Sequence, residues 1–104
     1  MQYEFTQDWV SFRTKTWLSI LNVYRNKPDL QMLEIGVYEG RATVWFLETI
    51  LTHETSSILC IDPVPQASFF HNISKFKHKV RFIKEKSQNA LRDHFFNKEK
   101  IDIV

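Results

Sequence analysis

Apolar residues recur along this chain with two different periods. Between residues 9 and 24 they fall at Trp9, Phe12, Trp17, Ile20, Leu21 and Tyr24, close to one stripe of a helix. Thr6 stands where it can cap that helix, Asp8 falls in its first turn, and Asn26, Pro28 and Asp29 end it. Further along, the apolar runs shorten to strand length. Residues 30 to 37 read as a buried strand. Residues 40 to 51 return to a helical pattern, with Val44, Phe46, Leu47, Ile50 and Leu51 available to a core. A polar loop leads to a second strand at 57 to 61. It is stopped by Asp62-Pro63-Val64-Pro65, because proline cannot donate to a ladder. A short helix is expected over 66 to 76. Val80 and Phe82 then alternate with charge in a third strand over 79 to 84. A helix over 89 to 97 carries Leu91, Phe95 and Phe96, and Ile101 opens a fourth strand.

Strands that alternate with helices predict an α/β fold: a parallel sheet with helices on both faces and right-handed crossovers. The expected architecture is Rossmann-like, with about four strands in the order 3-2-1-4 and a helix in front. Residues 1–29 form the N-terminal helical segment and residues 30–104 the sheet domain. There is no internal repeat, low-complexity tract or linker.

Composition narrows the function without naming it. A chain of 104 residues has room for one small domain with a core. Hydrophobic residues make up 43% and charged residues 25%, as in ordinary soluble domains. A formal charge of +2 gives no field that would select nucleic acid or an anionic membrane, so neither is expected as a partner. The lysines and arginine between Lys75 and Lys86 read as a solvated helix face and a charged strand edge. Cys60 is the only cysteine and sits in the apolar run Ile58-Leu59-Cys60-Ile61, which marks a buried, inert thiol. No apolar signal core opens the chain and no stretch approaches the roughly 20 apolar residues of a membrane span, so a reducing cytoplasm is the expected setting. His53, His71, His78 and His94 show no metal-ligand spacing, and no metal site is expected. No Ser-His-Asp or Cys-His set suggests a catalytic residue.

The chain has only two glycines, where roughly seven would be usual, and both lie in Leu33-Glu34-Ile35-Gly36-Val37-Tyr38-Glu39-Gly40. This stretch is the turn after the first strand. In parallel α/β sheets ligands bind outside the C-terminal strand ends, where strand order reverses. Glycine there permits positive φ and close approach of backbone to ligand. Gly40 opens the next helix, whose free N–H groups favour a negative group. The two glycines therefore serve either a small molecule with an anionic end or simply a tight turn. Glu34, at the end of the strand, can meet a ligand amine or anchor the loop. Asp62, at the end of the second strand, can accept from ribose hydroxyls or start the turn with Pro63.

The segments LEIGVYEGRATVWFLE, ILCIDP and VRFIKEKSQNAL resemble three signature regions of the class I S-adenosylmethionine-dependent methyltransferases. The likeness is to the branch that includes small-molecule O-methyltransferases and cephalosporin-hydroxylase-like proteins, and it runs from about Leu30 to the last residue. It implies that the backbone of Gly36, Val37 and Tyr38, with Gly40 closing the loop, holds the methionine end of S-adenosylmethionine. Glu34 would then position the cofactor's amino group, Asp62 would take the ribose hydroxyls, and Ser87 and Gln88 would lie beside the adenine. Two positions depart from the pattern. Tyr38 occupies the middle position of the usual three-glycine motif, where it either tightens the loop or covers the cofactor. Glu85 stands where relatives often carry glycine. The family has seven strands and an acidic residue at the end of the fourth, so by resemblance this chain is the cofactor-binding part of a methyltransferase for a small-molecule acceptor. It is expected to be incomplete and inactive alone, with Asp102 too near the start of its strand to be the catalytic acid. The rivals are an NAD-type oxidoreductase fragment and a non-enzymatic α/β interaction module. The NAD fingerprint is G-x-G-x-x-G, whereas this chain has G-x-x-x-G.

Overall fold

In the computed structural model of the chain, residues 2–94 and 101–104 are described. Strands β1 (Gln31–Ile35), β2 (Ser57–Ile61) and β3 (Val80–Ile83) form one parallel sheet in the order β1-β2-β3. Glu34 pairs with Cys60, and Ile61 with both Ile35 and Ile83, so the C-terminal ends of the three strands are level. The middle strand, β2, is buried from Ile58 to Ile61. Its unbroken apolar run is what a parallel strand covered on both faces requires.

Alternation along the strands supplies two cores. On one face Met32, Ile58 and Cys60 pack with Val44, Phe46, Leu47, Ile50, Phe69 and Ile73. These come mainly from helices α2 (Arg41–Thr49) and α3 (Ala67–Asn72) and the turns that follow them. On the other face Leu33, Leu59 and Ile61 pack with Ala90 of helix α4 (Ser87–His94) and with Ile101. The expected helix over 89 to 97 thus starts two residues early, and the part from 95 to 97, with Phe95 and Phe96, lies outside the described residues.

The described residues carry three strands where about four are expected, and two further expectations are corrected. Beside the free edge of β1 there is a single parallel bridge, Met32 to Ile103, flanked by the Leu33 N–H donating to the Ile103 carbonyl (2.8 Å) and the Asp102 N–H to that of Gln31 (2.9 Å). One paired residue is too little for a ladder.

The N-terminal helix also starts later than expected. A 3-10 turn at Ser11–Arg13 leads into helix α1 (Thr14–Leu21), and a second 3-10 turn, Asn22–Tyr24, ends it. Asp8, not Thr6, satisfies the opening turn, accepting the N–H groups of Val10 (3.1 Å) and Ser11 (2.8 Å). Thr6 is committed elsewhere, to Glu39. In consequence Trp9, Phe12 and Ile20 are exposed, and Trp17 carries the packing, with its ring 5.2 Å from that of Phe46 and 5.6 Å from that of Trp45. Asn26 and Asp29, at φ 60° each, turn the chain into β1, as short polar side chains allow.

The second correction concerns the basic run. Helix α3 stops at Asn72 and a 3-10 turn covers Ser74–Lys79, and in that turn Lys79 is buried. Its ammonium donates to the Leu51 carbonyl just beyond α2, and burial lowers its pKa.

Candidate functional site

The turn from β1 into α2 is the most unusual stretch of backbone in the chain. Gly36 (φ 81°), Tyr38 (φ 48°) and Gly40 (φ 82°) all have positive φ within five residues. The two glycines share a conformation but not a setting. A Cβ built on Gly36 would meet nothing within 4 Å, whereas one on Gly40 would lie 2.9 Å from Cδ1 of Phe69 and 3.7 Å from Ile73. Gly40 is therefore needed for the close packing of α2 on α3, and Gly36 opens on space. Packing thus accounts for the glycine at position 40, one of the two expected beside a ligand.

Gly36 also lines a cavity of about 610 Å³, within the usual range for small-molecule sites. Its floor is the end of β1, with Glu34, Ile35, Gly36, Val37 and Tyr38, and its far wall comes from Trp9, Val10, Arg13, Trp17 and Leu21. Phe46 and Ile103 close the inner side. Trp17 of the N-terminal helix thus lines a pocket as well as packing on the core. Gly40, Asp62, Ser87 and Gln88 do not line it.

Glu34 is the acid at the base of the cavity. Its carboxylate accepts from the Thr43 hydroxyl of α2 and, at 3.8 Å, from the Cys60 thiol of β2. Burial pushes its pKa up to about 7. The two hydrogen bonds pull the other way, and the charge of Asp62 adds a little upward push. Burial raises the Cys60 thiol far above its ordinary value, so it stays protonated and inert.

Asp62 is at the matching end of β2 and ties two loops together. One carboxylate oxygen accepts the Val37 N–H (2.9 Å) and the other the Val64 N–H (2.8 Å). The Gly36 N–H meanwhile donates to the Ile61 carbonyl (2.8 Å). The Val64 contact is that of the expected turn starter, and each oxygen keeps a second lone pair. Ser87 and Gln88 open α4 just past β3, half-buried and exposed respectively. They share the sheet edge of Glu34 and Asp62. Asp102 lies at the opposite end. Its carboxylate accepts the Gln31 N–H (2.9 Å), four residues before Ile35, or about 13 Å along the strand.

Two participants escaped the sequence reading. Thr43 is fully buried, and Glu39 is 4% exposed. Each carried a faint signal: a charged residue between a tyrosine and a glycine in a tight loop, and a hydroxyl one turn into the following helix.

A parallel sheet covered on both faces, with a glycine turn, an acid and a cavity gathered at the strand ends, is a Rossmann-like α/β arrangement. The family described as "Methyltransferase domain" matches residues 33–104, and the chain belongs to that family. No curated protein and no solved structure matches it. No helix among the described residues is long and apolar enough to cross a membrane.

Proposed function

We propose that this chain binds S-adenosylmethionine along the C-terminal edge of its sheet, as the cofactor-binding portion of a methyltransferase with a small-molecule acceptor. The observation that carries this reading is Gly36. It is a positive-φ glycine that lines the cavity with open space where a side chain would be, two residues after a half-buried acid. A turn with no ligand needs the φ but not the space. Methyltransferase membership makes S-adenosylmethionine the methyl donor, and the residues present suit it. Glu34 offers a carboxylate to the amino group. Gly36 to Tyr38 offer backbone to the methionine end. Asp62 has lone pairs for the ribose hydroxyls, and Ser87 and Gln88 stand on the adenine side. The bound cofactor supplies an activated methyl on a sulfonium. The chain's own residues orient it and exclude water, and the apolar wall of Trp9, Trp17 and Leu21 leaves room for an acceptor.

The test is calorimetric titration with S-adenosylhomocysteine, with NADH in parallel. Heat of binding is expected with the first and none with the second. Asp62→Asn, with its fold checked by circular dichroism, should weaken S-adenosylhomocysteine binding by about 1–3 kcal/mol, the usual loss when a charged hydrogen-bond partner is removed. Binding of NADH alone would overturn the reading in favour of an oxidoreductase. Binding of neither would leave an interaction module.

A further inference from the structure

The N-terminal segment is fastened to the glycine turn at consecutive points, and the central one is Glu39. Its carboxylate accepts the Thr6 N–H (2.9 Å), the Thr6 hydroxyl (2.7 Å) and the Gln7 N–H (3.3 Å). On either side of it, Tyr38 stacks on Trp9 with ring centroids 5.6 Å apart and planes 6° from parallel, and Arg41 pairs with Asp8 at 3.2 Å. The Glu39 carbonyl accepts from the side-chain amide of Asn72, which is fully buried on α3. That same amide holds the backbone of Glu4 in both directions, accepting its N–H (2.6 Å) and donating to its carbonyl (3.1 Å).

A carboxylate this buried is costly unless its lone pairs are filled. Glu39 meets that requirement only with donors from a segment more than 30 residues away in sequence. Releasing residues 4–7 would strip Glu39 of these donors and open its carboxylate to water, so the turn loses the partners that hold Glu39 in this position. Conversely, a turn of different shape cannot present Glu39 and Tyr38 to Thr6 and Trp9 together. Trp9 and Tyr38 both line the cavity. The state of the segment therefore sets the shape of the cavity wall.

We propose that residues 2–9 are a strap and that Glu39 is the positioning residue which couples its docking to the conformation of the glycine turn. A ligand that needs the turn in this shape favours the docked strap, and by reciprocity the docked strap favours the ligand. The ligand arm of this idea rests on the S-adenosylmethionine reading above, but the coupling itself belongs to the free protein.

The experiment is residue-resolved amide hydrogen exchange on the full chain, first without ligand. Three variants are compared with wild type. Glu39→Ala acts from the turn. Thr6→Pro removes two of the three donors in the strap, the Thr6 N–H and hydroxyl, and leaves Glu39 in place. Glu39→Gln keeps an amide oxygen that can still accept. In both Glu39→Ala and Thr6→Pro, exchange at Gln7 in the strap and at Val37 and Gly40 in the turn should quicken together by about tenfold, while Leu59 to Ile61 of β2 stay protected. Glu39→Gln should restore part of the protection. Release of Gln7 with Val37 and Gly40 unchanged, or no release in either variant, would overturn the coupling. With S-adenosylhomocysteine added, the wild-type strap amides should slow, and affinity should fall about tenfold in Thr6→Pro, within the usual range of coupling between sites. Unchanged affinity in Thr6→Pro would overturn the ligand arm. If wild type binds no S-adenosylhomocysteine, the cofactor reading fails, and the ligand-free exchange alone decides the strap.

Discussion

Gly36 and Gly40 have the same backbone conformation, φ 81° and 82°, and nothing else in common. One borders a cavity, and the other is pressed against the ring of a fully buried phenylalanine. A positive φ shows that glycine is favoured at a position but not what it is favoured for. The neighbour of the absent Cβ tells the two uses apart: contact with the protein's own core points to packing, and open space next to a half-buried acid points to a ligand. The same division runs through the acids of this region. Asp62 holds loops in place away from the cavity, Glu39 lines the cavity with its carboxylate committed to Thr6, and Glu34 lines it with Thr43 and Cys60 as its partners.

The largest effect that would break this comparison belongs to Gly40. Gly40→Ala places a Cβ at 2.9 Å from the Phe69 ring at a positive φ. Overpacking and backbone strain together should destabilise the fold by about 2–4 kcal/mol, read from urea denaturation. Combining it with Phe69→Leu should recover part of the loss relative to Phe69→Leu alone. A Gly40→Ala chain as stable as wild type would mean that α2 and α3 do not pack as described.

Next in size is Glu34→Gln, which sharpens the ligand side. The folded chain holds the Glu34 proton up to about pH 7, against an ordinary value of 4.5. That proton therefore favours the folded state fully below pH 4.5, and the contribution is lost as pH rises through about 7. Glutamine does not titrate, so Glu34→Gln should be as stable as wild type at pH 4 and more stable by about 3 kcal/mol at pH 8. Thermal melts across that range check it. A constant difference between the two chains at all pH values would show that Glu34 ionises normally.

The smallest effect on stability belongs to Gly36→Ala. With no atom within 4 Å of the new Cβ, only the strained φ remains, at about 1 kcal/mol. Binding of S-adenosylhomocysteine should nevertheless fall well beyond what that loss explains, because the methyl group enters the cavity. Loss of stability and binding in the same proportion would return Gly36 to the role of a turn residue.

The sequence by itself determined the order of strands and helices, the parallel sheet, and the gathering of Glu34, Gly36 and Asp62 at one edge. These follow from short-range signals: apolar periods of two and 3.6, prolines that stop β2, and glycines that follow β1. Strand β2 was legible to the residue because both of its faces are buried and its flanks are a polar loop and a proline turn. What only the tertiary structure decided are pairings between distant residues. Thr6 meets Glu39 and Glu4 meets Asn72, 33 and 68 residues apart, and these contacts delay the first helix that local capping rules place at Thr6. Lys79 turns inward because the Leu51 carbonyl is waiting at the end of another helix. Gly36 and Gly40 look alike in a string of letters because a string records backbone freedom, whereas the difference between them is the presence of Phe69 beside one and of empty space beside the other.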